Sequence, residues 1–209
     1  MAARQSTKSR HAGGRNARPV VLVVCEGETE LRYFNSLKNH FRASWMEVKL
    51  SDVPNPAGIL SCAMRELKKL KSKGLDVETW LVFDAESEPE SEMRKYRQTI
   101  EKALSRGVNV ANSSPCFEYW LLIHFAPGIN VYEPKQANDE LSKPGRIDGY
   151  RKPKLPFDTL WEIYVTGKPS ESAQKRRSDI ELLDGDPRYG RPVTYVDELV
   201  DRLVSISRY

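Results

Sequence analysis

From Val20 to Cys25 the chain is an unbroken apolar run, VVLVVC, which stops at Glu26-Gly27. A β-branched run of this kind predicts a strand buried on both faces, as in a parallel sheet. Beyond it, Leu31, Phe34, Leu37 and Phe41 return near helical spacing, with Thr29 as a candidate cap. Met46 to Ser51 alternates apolar and polar residues and suits a second strand, and Pro54-Asn55-Pro56-Ala57-Gly58 breaks the chain. A helix from about Ile59 to Lys73 then carries Leu60, Met64, Leu67 and Leu70 on one stripe and Arg65, Lys68, Lys69, Lys71 and Lys73 on the other face. Thr79 to Phe83 is the third buried strand, closing on Asp84-Ala85-Glu86. An acidic loop, Ser87 to Glu92, precedes a helix that runs to about Ser105. Val108 to Val110 reads as a short strand, Asn112 to Pro115 as a turn, and Cys116 to Phe125 (CFEYWLLIHF) as a strongly apolar helix with one acid, Glu118.

Strands and helices thus alternate four times, which calls for an α/β fold with a mostly parallel sheet and helices on both faces. From Gly128 to Pro156 frequent prolines and glycines mark an irregular insertion or lid. Phe157, Leu160, Trp161 and Tyr164 then fall on one face of a helix. A second helix covers about Ser170 to Leu183, with Lys175, Arg176 and Arg177 exposed on it. Val196, Leu199, Val200 and Leu203 mark the last, capped by Thr194. The expected organisation is a basic tail over residues 1–18, an α/β core over 19–127, and an insertion with carboxy-terminal helices over 128–209 that packs back on the core.

Composition narrows the classes. At 209 residues, 39% hydrophobic and 30% charged, the chain is expected to be globular, with no apolar run long enough to span a bilayer. Its first residues lack the apolar stretch of a secretory signal. Cys25, Cys62 and Cys116 are odd in number and have no C-x-x-C spacing, which argues against zinc and disulfides and points to a reducing cytoplasm. Residues 1–18 hold Arg4, Lys8, Arg10, Arg15 and Arg18 and no acid; against a net charge of +4, this leaves the remainder one charge negative. Such a tail reads as disordered, either tracking phosphates or only aiding solubility.

The candidate chemistry sits at strand ends, where open α/β sheets place their ligands. If their strands are parallel neighbours, Glu26, Asp84 and Glu86 converge on one sheet edge. Asp84 and Glu86, two residues apart on an extended stretch, point to the same side. Carboxylates held this close repel unless a cation neutralises them. Hard oxygen donors suit Mg²⁺ or Mn²⁺, and the chemistry that follows is metal-assisted phosphodiester transfer, with water or a ribose hydroxyl as nucleophile.

An E-G after one buried strand and a D-x-E after another, about 60 residues on, resemble the Toprim domain of topoisomerases, primases and overcoming-lysogenization-defect nucleases. The segments VVCEGETELRYFNSL, WLVFDAES, NSSPCFEYWLLIHF and RPVTYVDELVDRL together look like the RloB family of bacterial defence proteins, related to AbiLii-type abortive-infection factors. The resemblance runs from about Val20 to the end. It implies a Toprim-like sheet with a helical carboxy-terminal extension and a metal-dependent ribonuclease that acts in antiphage defence, with transfer RNA as substrate. It also implies that Glu26, Asp84 and Glu86 are the metal acids, with Glu30 a further ligand and Glu118 completing the catalytic site. Two features depart from the pattern: Glu86 stands where the second Asp of D-x-D is usual, and the basic tail lies outside the family core.

Other residues admit two readings. Glu118 is either functional or an exposed acid at a helix start, and Glu30 is either a ligand or ordinary first-turn chemistry. Glu28 reads as solvated, and His124 as a core residue or a base. Cys116 lacks the partners of a nucleophile. Arg151, Lys152 and Lys154, with Lys175, Arg176 and Arg177, are candidate RNA-backbone contacts or solvated surface. Two other functions are compatible with the same residues: DNA nicking by the same chemistry, and a catalytically silent nucleic-acid-binding subunit of a defence complex. No G-x-x-x-x-G-K-[ST] occurs, so any ATPase must be a separate partner chain.

Overall fold

The computed structural model describes residues 18–85, 90–150, 155–184, 188 and 191–208. The basic tail up to residue 17, Glu86, and the Arg151, Lys152 and Lys154 cluster lie outside the described residues.

The apolar run forms the strand β1 (Val20–Cys25) at the heart of a five-stranded sheet. It is flanked by β2 (Met46–Leu50) on one side and β3 (Val77–Asp84) on the other, and the sheet continues through β4 (Asn109–Ser114) to β5 (Val193–Thr194). The first four strands are mutually parallel; β5 joins antiparallel, with Ser113 opposite Thr194. The architecture is therefore the expected α/β one, with a mostly parallel sheet covered by helices.

Alternation along β1 divides the core. Val21, Val23 and Cys25 face one layer and Leu22 and Val24 the other. The second layer is built by α2 (Pro56–Lys71) and α3 (Glu90–Leu104). The first holds α1 (Glu28–His40), α4 (Glu118–Phe125), α5 (Pro134–Leu141), α6 (Phe157–Gly167), α7 (Pro169–Asp184) and α8 (Val196–Ser207). Helix α4 is buried from Glu118 through His124 on every side, since the sheet lies under it and α5, α6 and α7 pack around it. The apolar string in this segment thus has a structural cause: a helix with no solvent face. No helix among the described residues is long and apolar enough to cross a membrane.

Several local expectations are corrected. Thr29 is not the cap of α1: Gly27 is, with no side-chain cap bond, and Thr29 is buried in the first turn. The inward face of α1 centres on Tyr33, Phe34 and Leu37, because Tyr33 meets both Phe34 and Phe117 edge-on; Leu31 and Phe41 are only partly buried. Helix α2 starts inside the proline-rich break, where Pro56 occupies its first turn and the Asn55 side chain accepts from the Gly58 N–H at 2.8 Å. Helix α3 starts at Glu90, within the stretch read as an acidic loop. Asn112 to Ser114 is strand rather than turn: β5 pairs with it, and Ser113 and Thr194 share a hydroxyl hydrogen bond of 2.8 Å. That pairing also places Thr194 in a strand, so the cap of α8 is Tyr195. The proline-rich stretch from Gly128 contains a helix, α5, that opens on Pro134.

Candidate active site

Strands β1 and β3 are parallel neighbours, with Cys25 opposite Val82, so both acidic strand ends reach the same edge of the sheet. The backbone joins them directly beyond the ladder. The Glu26 N–H donates to Val82 O at 3.0 Å, and the Asp84 N–H donates to the Glu26 carboxylate at 3.0 Å. That second bond fixes the Glu26 side chain across the end of β3.

Gly27 follows for a reason of space rather than torsion. Its backbone is extended, but a Cβ there would lie 2.7 Å from Glu30 Oε2. The Glu30 carboxylate therefore folds back over Gly27, toward the strand end from which α1 departs. Glu30 is buried at 4% exposure, against the solvated Glu28, which sits beside Arg32 at 3.7 Å. The expectation that Glu28 is solvated holds.

Glu118 arrives from the other side. It opens α4 directly after β4 and is 1% exposed. Its carboxylate accepts from the Tyr150 hydroxyl at 3.1 Å, and Thr29 hydrogen-bonds the same phenol. A buried relay thus links α1 to α4 through Tyr150. Neither Thr29 nor Tyr150 was legible as a site residue, because a tyrosine next to the basic RKPK stretch reads as ordinary loop sequence. Burial first, and then the Glu118 charge, push the Tyr150 phenol up, so it stays protonated and donating.

Asp84 is the centre of this arrangement. Burial raises its carboxyl well above the usual range, and the like charges of Glu30, Glu118 and Glu26 add to the rise. The Phe117 backbone N–H, at the amino end of α4, opposes it. Asp84 Oδ1 is buried without a hydrogen-bond partner. Among the described residues no cationic side chain pairs with Asp84, and a buried carboxylate oxygen left in this state is costly.

The donors brought together, Glu26, Glu30, Asp84 and Glu118, are all oxygen ligands, which fit a hard divalent cation in kind. Among the described residues, however, no three acids, histidines or cysteines gather tightly enough to form a preformed metal cage. Glu86, the remaining acid expected there, lies outside the described residues.

The other expected residues divide. His124 is a core residue: its Nδ1 hydrogen-bonds Trp120 O at 2.8 Å, and burial lowers it to about 4, which keeps it neutral. Cys116 is buried, and burial together with the charges of Glu118 and Asp84 pushes its thiol up, which suits no nucleophile. Of the three basic residues expected on the surface of α7, Lys175 is exposed and pairs with Asp179 at 3.0 Å, whereas Arg176 and Arg177 are half-buried. Arg176 donates to the Pro192 and Arg191 carbonyls, at 3.1 and 2.9 Å. Arg177 grips Asp197 through both guanidinium Nη atoms at 2.7 Å and is 12% exposed in its side chain. The expectation of an exposed basic run is corrected for these two arginines, which tie α7 to β5 and α8.

Comparisons with known proteins bear on the whole of this framework. A family profile described as RloB-like protein matches residues 21–203, which spans the sheet, the acid cluster and the carboxy-terminal helices. Neither curated proteins nor solved structures give a match.

Proposed function

The chain belongs to the RloB-like family, and from that membership together with the strand-end acids we propose that it is a metal-dependent Toprim endoribonuclease of antiphage defence, acting on transfer RNA or another structured RNA. The observation that carries the proposal is Asp84 Oδ1, buried and unpartnered among three further carboxylates at the carboxy edge of a parallel sheet. A carboxylate in that position is poorly explained as fold support, and is well explained as a ligand awaiting a cation.

Glu26 and Asp84 are the residues we assign to hold Mg²⁺ or Mn²⁺, with Glu86, from the D-x-E spacing, as a further ligand and Glu30 and Glu118 supporting. When bound, such a cation supplies charge neutralisation at a phosphodiester and a more acidic bound water. The chain's own contribution is positional. The Asp84 N–H holds the Glu26 carboxylate across the strand end. Gly27 leaves room for the Glu30 carboxylate to fold back. Tyr150 orients Glu118, and the amino end of α4 offers a partial positive charge toward Asp84. Burial and the neighbouring carboxylates raise Asp84 above the usual carboxylate range, and a bound cation would oppose that rise.

One alternative is a nucleic-acid-binding subunit without turnover that works beside a partner ATPase. DNA nicking by the same acids is the remaining alternative. A single experiment separates them. The purified chain is incubated with total RNA or plasmid DNA and Mg²⁺ or Mn²⁺, and new ends are mapped beside Glu26→Gln and Asp84→Asn. The proposal expects divalent-dependent RNA cleavage that falls on the order of 10³-fold in either variant with the fold retained. RNA that is bound and left intact with every divalent ion identifies the binding subunit, and nicked plasmid with intact RNA identifies the DNA reading.

A further inference from the structure

A cavity lies on the opposite layer from the carboxy-terminal helices, between α2 and α3. It encloses about 680 Å³ and is lined by Asn55, Leu60 and Met64 from the α2 side and Lys95, Lys102 and Arg106 from the α3 side, and no acid lines it. Lys95 and Lys102 stand on one stripe of α3, seven residues or about 10 Å apart at the helical rise, and Arg106 extends the row by one further turn. All three are exposed, and neither Lys102 nor Arg106 makes an ion pair among the described residues. Lys102 and Arg106 differ in this from several basic residues of α2 and α7: Arg65 pairs with Asp52 and Glu66, Lys69 with Glu66, and Lys175 with Asp179. Lys102 and Arg106 flank a groove with apolar walls, and their mutual repulsion costs stability.

Topology gives the groove its direction. Helix α2 connects β2 to β3 and α3 connects β3 to β4, so the crevice between them runs over β3. The start of α2, which lines it at Asn55 to Ala57, lies just after the carboxy end of β2, on the edge where Asp84 closes β3.

Resting on the nuclease reading above, we infer that the α2/α3 groove guides a single RNA strand to the acid cluster, with Lys102 and Arg106 contacting its phosphates and Leu60 and Met64 lying under its bases or sugars. Charge complementarity selects a polyanion. The line of cations with an apolar floor selects a flexible strand over a compact anion, because stacking surface and phosphate contacts then alternate along its length.

The test uses the full chain and a fluorescein-labelled mixed-sequence single-stranded RNA, with binding followed by anisotropy over a salt series without divalent ions. The expected result is that Lys102→Glu/Arg106→Glu, with both sites exposed and the melting temperature unchanged, weakens binding tenfold or more. It should also flatten the slope of log affinity against log salt by about 1.4, two phosphate contacts at about 0.7 each. Lys102→Gln/Arg106→Gln shifts both readouts the same way by less. Lys68→Glu/Lys71→Glu, the same change of charge on the solvent face of α2, leaves affinity within about twofold. Parent-like slope and affinity in the groove variants, with RNA bound by the parent, overturn the groove alone. Absence of RNA binding by the parent at low salt overturns the nuclease reading and the groove together.

Discussion

Asp84, half-buried with its Oδ1 sealed from solvent, and Asp197, fully buried, are both raised above the usual carboxylate range, and desolvation is the main cause in each. They are held in opposite ways. Asp197, with 0% exposure, receives two guanidinium bonds of 2.7 Å from Arg177, which also lies 4.6 Å from the centre of the Tyr195 ring and donates to Thr194 O at 2.5 Å. Arg177 pulls Asp197 back toward ionisation. Asp84 has three acids as its charged neighbours, and one of its oxygens has no partner at all. The same desolvation penalty is offset within the chain at one site and left standing at the other. A pair closed on itself fastens α7, β5 and α8 into the fold; a site left open by the chain is where a ligand gains most by binding.

The comparison is broken most forcefully at the closed site. Arg177→Ala leaves Asp197 buried without its cation, and the expected loss is about 3–5 kcal/mol of folding stability by urea titration. Replacing both partners together, as Arg177→Met/Asp197→Leu, recovers most of it, since no buried charge is then stranded. A loss below about 1 kcal/mol in the single variant would mean that water reaches the pair and that the two aspartates do not differ as described.

The two sites also differ in how far the sequence announces them. The open site was legible because its acids interrupt strong patterns: Glu26 ends VVLVVC, Asp84 ends TWLVF, and Glu118 stands inside an apolar string. Adjacent parallel strands then bring Glu26 and Asp84 together without further information. The closed site was misread because Lys175-Arg176-Arg177 has the appearance of a solvated run. What turns Arg177 inward is a two-residue strand, Val193–Thr194, too short to leave a periodicity, and its Ser113–Thr194 contact joins residues 81 apart in sequence. The same strand converts Asn112 to Ser114 from apparent turn to sheet. Tyr150 was hidden for a related reason: its partners Thr29 and Glu118 are remote in sequence, and nothing local marks a phenol as a hydrogen-bond relay.

Tyr150 offers the next test, of intermediate size. If it orients Glu118 at the open site, Tyr150→Phe keeps the ring in its buried place and removes only the hydroxyl bond of 3.1 Å. Removal of an outer partner of a metal-site residue is expected to lower RNA cleavage about 10–100-fold. It should also raise the Mg²⁺ concentration for half-maximal cleavage, a readout that a purely structural phenol would leave unmoved. The expected stability change is only about 1 kcal/mol. Unchanged cleavage and Mg²⁺ dependence would remove Tyr150 and Glu118 from the site and leave the Glu26–Asp84 strand ends as its extent.

The smallest effect, and the one with an unusual sign, belongs to Asp84 itself. Its carboxyl binds a proton more tightly in the folded chain than in the unfolded one, where an aspartate titrates near 3.9. The folded state therefore gains from this group at low pH, and the gain is lost as pH rises through the raised folded value. Asp84→Asn removes a desolvated charge from among like charges without removing volume. The expected outcome is a gain of about 1 kcal/mol at neutral pH, as is common when an active-site charge is neutralised, fading to nothing below about pH 4 where the parent carboxyl is protonated in both states. Thermal melts over this range, with and without Mg²⁺, check it. Added Mg²⁺ raises the parent's melting temperature at neutral pH because the cation binds only the folded cluster. It leaves Asp84→Asn nearly where it was. An Asp84→Asn chain less stable than its parent at neutral pH would show that the carboxylate supports the fold as Asp197 does, and the distinction between the open and the closed site would fail at its central residue.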